Sequence, residues 1–281
     1  ETVSIDLPIH ADLRDFLDLF QTKLAGTCLP SFEHWRSWGR AIEKELPTLF
    51  DDNPSIPEYI SSYVFADELF KQLREGDVVV TGNGTAYTST YQAMKVNRGV
   101  RVFANQGCAA MGYDLPAAIG AAIANGKGRT ILVTGDGSVQ MNIQELQTLL
   151  TYRIPLKVFI LENQGYLAIK TTQQSFFQGH YIGSDPGSGV VCPDMEKIAN
   201  AYGIPFVRLN QEGNSLKSSI AAVLQYEGAY ICEIKMHPLQ TLYPKSASFM
   251  DKNGKMSSAP LEKMAPFMSD ELQEKCIYCH I

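Results

Sequence analysis

Short apolar runs alternate with longer periodic stretches along most of this chain. The runs VVVT (78–81), RTILVT (129–134), LKVFILEN (156–163), IPFVRL (204–209) and AYICEIKM (229–236) are apolar nearly throughout, not at every second position. A strand with that pattern is buried on both faces, as happens in a parallel sheet. VRVFAN (100–105) adds a further extended piece. Between the runs lie stretches with apolar residues three and four apart: SSYVFADELFKQL, a small-residue segment reaching AAIGAAIA, NIQELQTLLTYR, MEKIANAY and SLKSSIAAVLQY. Each predicts a helix. Strands alternating with helices specify an α/β fold, a doubly wound parallel sheet with helices on both faces. Residues 164–194 show no clear period and are expected to be irregular.

The ends of the chain read differently. TVSIDLPI is expected to be extended, and ADLRDFLDLFQTKL and SFEHWRSWGRAIEKELP to be helices, the second ending at Pro47. TLFDDNPSIPEY packs two prolines and three acids into twelve residues, which marks a linker. The expected organisation is therefore 1–47 as the C-terminal remnant of a larger domain, 48–60 as linker, 61–240 as the α/β domain and 241–281 as a polar tail. No internal repeat or low-complexity run stands out.

Composition narrows the function classes. Of 281 residues, 45% are hydrophobic and 19% charged, ordinary for a soluble globular chain. A net charge of −6 argues against a nucleic-acid partner. The sequence lacks an apolar run long enough to span a membrane, and it opens ETVSIDLPIH without a signal-peptide pattern. Cysteines 28, 108, 192, 232, 276 and 279 have no framework spacing, which points to reduced thiols and a cytoplasmic setting. Cys276-x-x-Cys279-His280 formally matches a c-type haem attachment site, but that attachment needs export, and a chance tail sequence is the preferred reading.

Candidate chemistry gathers at four turns placed at strand exits: GNGT, NQGCAAMG, GDGS and ENQGY. In a parallel sheet, ligands sit beyond the carboxyl ends of the strands. Asp-Gly alone would suggest a β-hairpin, yet Ile143, Leu146, Leu149 and Leu150 follow at helical spacing, with Asn142 and Glu145 expected as a capping box. Asp136 and Asn163 then end two strands joined by one helix, and such strands are commonly neighbours. One carboxylate, one amide oxygen and a backbone carbonyl make a hard, oxygen-only set suited to Mg²⁺ or Ca²⁺, with positions left for phosphate. The plain alternative for Asp136 is a helix cap without metal. The sequence has no GxGxxG opening a βα unit, which disfavours a dinucleotide-dependent dehydrogenase.

GDG, followed 27 positions on by the Asn of LENQGY, resembles the thiamine-diphosphate signature of the acetolactate synthase and 2-oxoacid decarboxylase superfamily. ANQGCAAMGYDLPAAIGAAIA resembles the segment preceding its metal motif. The resemblance implies that Asp136, Asn163 and the Gly165 carbonyl hold Mg²⁺. It further implies that Gly82, Asn83, Gly84, Thr85, Gly135, Gly137, Ser138 and Tyr166 contact the diphosphate. Met111 would be the apolar wedge bending the cofactor, with the Ala109 carbonyl facing its aminopyrimidine; ordinary core filling is the alternative for Met111.

The implied activity is decarboxylation of a small 2-oxoacid, with or without ligation to a carbonyl acceptor. A related lyase or oxidase, and a non-catalytic regulatory chain, are the alternatives. The implied setting is a homodimer or tetramer, with FAD possible in the full-length enzyme. The family's essential glutamate belongs to a pyrimidine-binding domain, of the same or another chain, that residues 1–60 cannot contain. Four positions depart from the pattern: Glu162 stands for the first Asn of the pair, Thr85-Ala86 for the Gln-His of acetolactate synthases, and Thr172 for their substrate-selecting Trp. The segment after the metal motif is expected near the substrate. Within it His180 is expected to be a surface or packing residue, with a part in the chemistry as the alternative, and the Phe176-Phe177 pair to be packing or lid, with substrate specificity as the alternative.

Overall fold

The computed structural model describes residues 5–48, 58–210, 214–246, 248–250, 256–258, 264–265 and 269–277. Contacts divide the chain into two compact units, one within Glu1–Leu46 and Ser269–Ile281, the other within Pro47–Met268. The segment expected as one tail, 241–281, thus divides between the units.

In chain order the helices are α1 (Leu13–Leu24), α2 (Glu33–Glu45), α3 (Ser62–Phe70), α4 (Gly84–Ala93), α5 (Asp114–Ala124), α6 (Asp136–Val139), α7 (Leu146–Thr151), α8 (Leu167–Phe176), α9 (Met195–Tyr202), α10 (Asn214–Gln225) and α11 (Asp270–Ile277). The strands of the main sheet are β1 (Val78–Thr81), β2 (Arg101–Ala104), β3 (Thr130–Gly135), β4 (Lys157–Glu162), β5 (Phe206–Leu209) and β6 (Tyr230–Lys235).

The first unit consists of α1, α2 and α11. Asp12 caps α1 by accepting from the Arg14 N–H at 2.9 Å. The Trp38 indole N–H donates to the Lys275 carbonyl at 3.0 Å, tying α2 to α11.

In the second unit the six strands run parallel in the order β2-β1-β3-β4-β6-β5. Strand alternation splits the core cleanly. Val79, Ile131, Val133, Phe159 and Leu161 face one layer, with Phe65 and Leu69 of α3 and Ile220 of α10. Val78, Val80, Leu132, Val158 and Ile160 face the other, with Leu115 of α5, Leu146 and Leu149 of α7 and Met195 of α9. Both faces need apolar residues, which is why the runs do not alternate. Each such side chain contributes about 1.5–3 kcal/mol by leaving water. The doubly wound α/β expectation is borne out.

Going from β1 to β2 the chain steps one way, and β3 then lies on the other side of β1. This reversal opens a crevice between the carboxyl ends of β1 and β3, the usual ligand position in such sheets.

At the opposite end of the sheet, Lys157 is buried and its ammonium donates to the Tyr226 carbonyl at 2.6 Å and to the Gly228 carbonyl. Burial, reinforced by the Arg129 charge, lowers its pKa to about 8.

As expected, GDGS is not a hairpin, since helix begins at Asp136 itself. Other expectations need correction. The Asn142–Glu145 capping box does not form: Asn142 has φ −133° and ψ 36° and interrupts the helical path, while Glu145 accepts from the Thr148 hydroxyl. Residues 167–176, expected to be irregular, form α8. Their two threonines and two glutamines blurred the helical period. The GNGT turn is only Gly82–Asn83 before α4 begins. TVSIDLPI has no strand over residues 5–9, its first three residues lying outside those described. Most of the expected linker (49–57) also lies outside the described residues, as do Cys279 and His280 of the CxxCH sequence.

Candidate functional site

A cavity of about 320 Å³ lies at the carboxyl edge of the sheet. All four turns reach it. Asn83, Gly84 and Thr85 come from the β1 exit, Ala109 and Met111 from the loop after β2, Gly135–Ser138 from the β3 exit, and Asn163, Gly165 and Tyr166 from the β4 exit. Of the residues that the resemblance assigns to the metal and cofactor, only Gly82 does not line it. Its N–H instead bonds the Val133 carbonyl at 2.8 Å, and a Cβ there would come 2.5 Å from the carboxylate of buried Asp114. Gly82 is needed for close packing and not for contact with the cavity.

The centre of the site is a pair of strand ends. β3 and β4 are adjacent, with Gly135 opposite Leu161, so Asp136 and Asn163 emerge side by side. The Asp136 carboxylate accepts the N–H of Gly137 at 2.8 Å, of Gly165 at 3.0 Å and of Asn163 at 3.3 Å. Burial raises its pKa to about 6 against the opposing pull of these N–H groups. The Asn163 side-chain oxygen is buried and has no hydrogen-bond partner among the described residues. Such an atom costs about 1–3 kcal/mol unless something meets it.

Two glycines shape the floor. Gly165 has φ +130°, and a Cβ there would meet the Ser184 carbonyl oxygen at 2.5 Å. A Cβ on Gly137 would fall 2.4 Å from the Tyr166 ring, so the ring lies directly against the backbone of the GDG turn. The Tyr166 hydroxyl accepts from the Gln140 side chain at 3.3 Å.

The opposite wall is the loop carrying Met111. The Asn83 side chain donates to the Ala109 carbonyl at 2.9 Å, and Ala109 has φ +46°. Met111 belongs to neither core layer. It lines the cavity while 36% exposed, so the core-filling alternative fails.

Sequence reasoning missed part of the lining, namely Ala86 and Leu161, and Leu167, Ala168 and Ile169 of α8. Recognising α8 would have brought in the last three. It also missed how the chain after α8 is tied down. The Gln173 amide group donates to the Ile182 carbonyl at 2.9 Å and accepts from the Ser184 hydroxyl at 2.9 Å. Lys170 pairs with Asp185 at 2.8 Å, which helps hold that carboxyl below its ordinary range. The Ser184 carbonyl in turn accepts the Tyr166 N–H at 2.9 Å.

Other expected residues lie elsewhere. His180 and Phe177 are exposed and line no part of the cavity, nor does Phe176. Thr172 is exposed on α8, where its hydroxyl donates to the Ala168 carbonyl. Glu162 sits beside Asn163 at the strand end. Burial, then the nearby Asp136 and Glu233 charges, raise its pKa to about 7. The same causes, with Asp136 and Glu162 as the neighbouring charges, push the half-buried Cys192 thiol up to about 12, so it stays protonated.

Among the described residues no three His, Cys, Asp or Glu side chains gather into a metal cluster. A cation in this cavity would rely on Asp136 and on neutral oxygens. The Asn163 side-chain oxygen, buried without a partner among the described residues at a position lining the same cavity, is a donor of the kind such an ion takes.

Residues 82–234 match the family model described as the C-terminal TPP binding domain of thiamine pyrophosphate enzymes. The chain belongs to this family. It is 37% identical over 248 residues to the acetolactate synthase large subunit of Cyanidium caldarium, covering 86% of this chain and 40% of that relative. It is 29% identical over 230 residues to acetolactate synthase 3, chloroplastic, of Brassica napus, covering 78% of this chain and 34% of the relative. The chain thus spans well under half the length of these relatives. Among solved structures, the thiamine diphosphate-dependent 4-hydroxybenzoylformate decarboxylase of Rhodococcus jostii RHA1 superposes with a TM-score of 0.58 at 20% identity, covering 67% of this chain and 35% of that one, a likeness of fold. The cavity lies within the matched TPP-binding region.

Proposed function

We propose that this chain is the cofactor-binding part of an acetolactate synthase-like enzyme, taking thiamine diphosphate through Mg²⁺ and acting on a small 2-oxoacid. The observation that carries the metal is the buried Asn163 side-chain oxygen, without a hydrogen-bond partner among the described residues, in a cavity that Asp136 also lines. Asp136, Asn163 and the Gly165 carbonyl would hold the ion. Backbone N–H groups at Gly137 and Ser138, with the Asn83–Thr85 turn, would take the phosphate oxygens that the ion leaves uncompensated. When bound, thiamine diphosphate supplies a nucleophilic carbon and an electron sink for decarboxylation.

The chain's own residues bind and orient. Met111 presents an apolar shelf at the cavity wall, and Leu161, Leu167 and Ile169 line it with further apolar surface. Thr85-Ala86 and Thr172 in place of the pattern's Gln-His and Trp favour a reaction stated as 2-oxoacid decarboxylation or carboligation, not one fixed product. Catalysis would draw its essential glutamate from a pyrimidine-binding domain of the same or another chain. Residues 1–281 alone would therefore bind cofactor without turnover.

Calorimetry tests the reading. Thiamine diphosphate should bind in the presence of Mg²⁺, bind far more weakly with EDTA, and fail to bind Asp136→Ala. Equal binding with and without the metal would sink it. Decarboxylase turnover by these residues alone would sink the requirement for a partner domain.

A further inference from the structure

The wall opposite the candidate metal site poses a physical problem. Met111 is apolar, lines the cavity while more than a third exposed and belongs to neither core layer, so burial does not hold it in place. The adjacent backbone does. The Gly112 N–H donates to the Ser138 hydroxyl oxygen at 2.9 Å, and the Gly112 carbonyl accepts from the Asn142 side-chain nitrogen at 2.6 Å. Both polar groups of the residue next to Met111 are therefore clamped, from two points on the segment that follows β3.

The clamp is close-fitting. Gly112 has φ +80°, and a Cβ there would meet Met141 Cβ at 2.9 Å and the Asn142 side-chain nitrogen at 3.0 Å. Its second jaw also sets the backbone path. The run from Asp136 would continue as one helix were Asn142 helical, but Asn142 departs to φ −133° and ψ 36° and interrupts it. The amide is oriented, because Gln144 donates to the Asn142 oxygen at 3.1 Å and leaves the nitrogen facing Gly112.

We propose that Asn142 is a positioning residue that, through Gly112, holds Met111 as the shelf for the ring portion of the ligand, independently of the diphosphate end. The inference rests on the proposed cofactor reading. It separates the cavity into two functions: Asp136 and Asn163 for the charged end, and the Ser138–Gly112–Asn142 clamp for the ring end.

The test uses the full-length protein and two probes with Mg²⁺, thiamine diphosphate and inorganic pyrophosphate. The second probe occupies only the charged end. Asn142→Asp keeps the side-chain shape but replaces the donor with an acceptor facing the Gly112 carbonyl; Asn142→Ala removes the group. Loss of this bond should weaken thiamine diphosphate about fivefold to tenfold in both variants. Pyrophosphate affinity should stay within about twofold of the wild type. Unchanged thiamine diphosphate affinity overturns the proposal, and so does a parallel loss of both probes, which would mark a general structural role. Wild-type protein that takes up neither probe overturns the cofactor reading itself, and this inference with it.

Discussion

Asp136 and Asn163 stand at the ends of adjacent strands, yet the structure satisfies only one of them. The Asp136 carboxylate takes three backbone N–H groups, including that of Asn163, while the Asn163 side-chain oxygen is buried without a partner among the described residues. The two residues line one cavity, and the open acceptor is what the proposed metal would meet.

This asymmetry predicts opposite effects of one substitution. Asn163→Leu should remove the unmet oxygen and stabilise the metal-free protein by about 1 kcal/mol, raising its melting midpoint by roughly 2–4 °C. It should also abolish Mg²⁺-dependent thiamine diphosphate binding. Thermal unfolding and calorimetry on the same samples check both halves, and a destabilised variant would contradict the account.

Two glycines at the site should behave differently. Gly165→Ala meets the Ser184 carbonyl at 2.5 Å in a left-handed backbone, whereas Gly135→Ala has no atom within 4 Å. Gly165→Ala should cost at least about 2 kcal/mol, and Gly135→Ala less than about 0.5 kcal/mol. Denaturant midpoints for the pair measure the difference.

Gln173 ties residues 182–184 to α8, and the Ser184 carbonyl reaches back to the Tyr166 N–H. Gln173→Ala should lower the local opening free energy there by about 1–3 kcal/mol. Hydrogen exchange should therefore speed up at Ile182, Ser184 and Tyr166 and leave β1, β3 and β4 unchanged.

Lys157 supplies a pH signature remote from the site. Its pKa is near 8 when folded and 10.5 in the unfolded chain, so between those values only the unfolded state holds the proton. Its contribution to stability is full above about pH 10.5, falls as pH drops towards 8, and is flat below. The wild-type midpoint relative to that of Lys157→Met should rise from pH 8 to 10.5. A constant difference would show that the buried ammonium is not depressed.

The fold was legible because its signal is local and redundant. Runs such as TILVT and KVFILE carry no polar alternation, and that property alone requires a sheet covered on both sides. α8 escaped because its helical face is short and interrupted by Thr171, Thr172, Gln173 and Gln174, of which the two glutamines hold the neighbouring segment at Tyr181, Ile182 and Ser184. Gly82 was assigned to the ligand on its place in a turn, whereas contact with Asp114 explains it.

By itself, then, the sequence determined the α/β class, the strand ends where chemistry would gather, and the pairing of Asp136 with Asn163, because period and spacing are properties of a one-dimensional string. The tertiary structure alone decided which of those residues are already satisfied. It left the Asn163 oxygen open and turned Asn142 from an expected helix cap into a clamp on Gly112. Hydrogen-bond satisfaction depends on what distant segments bring within 3 Å, and no local pattern encodes that.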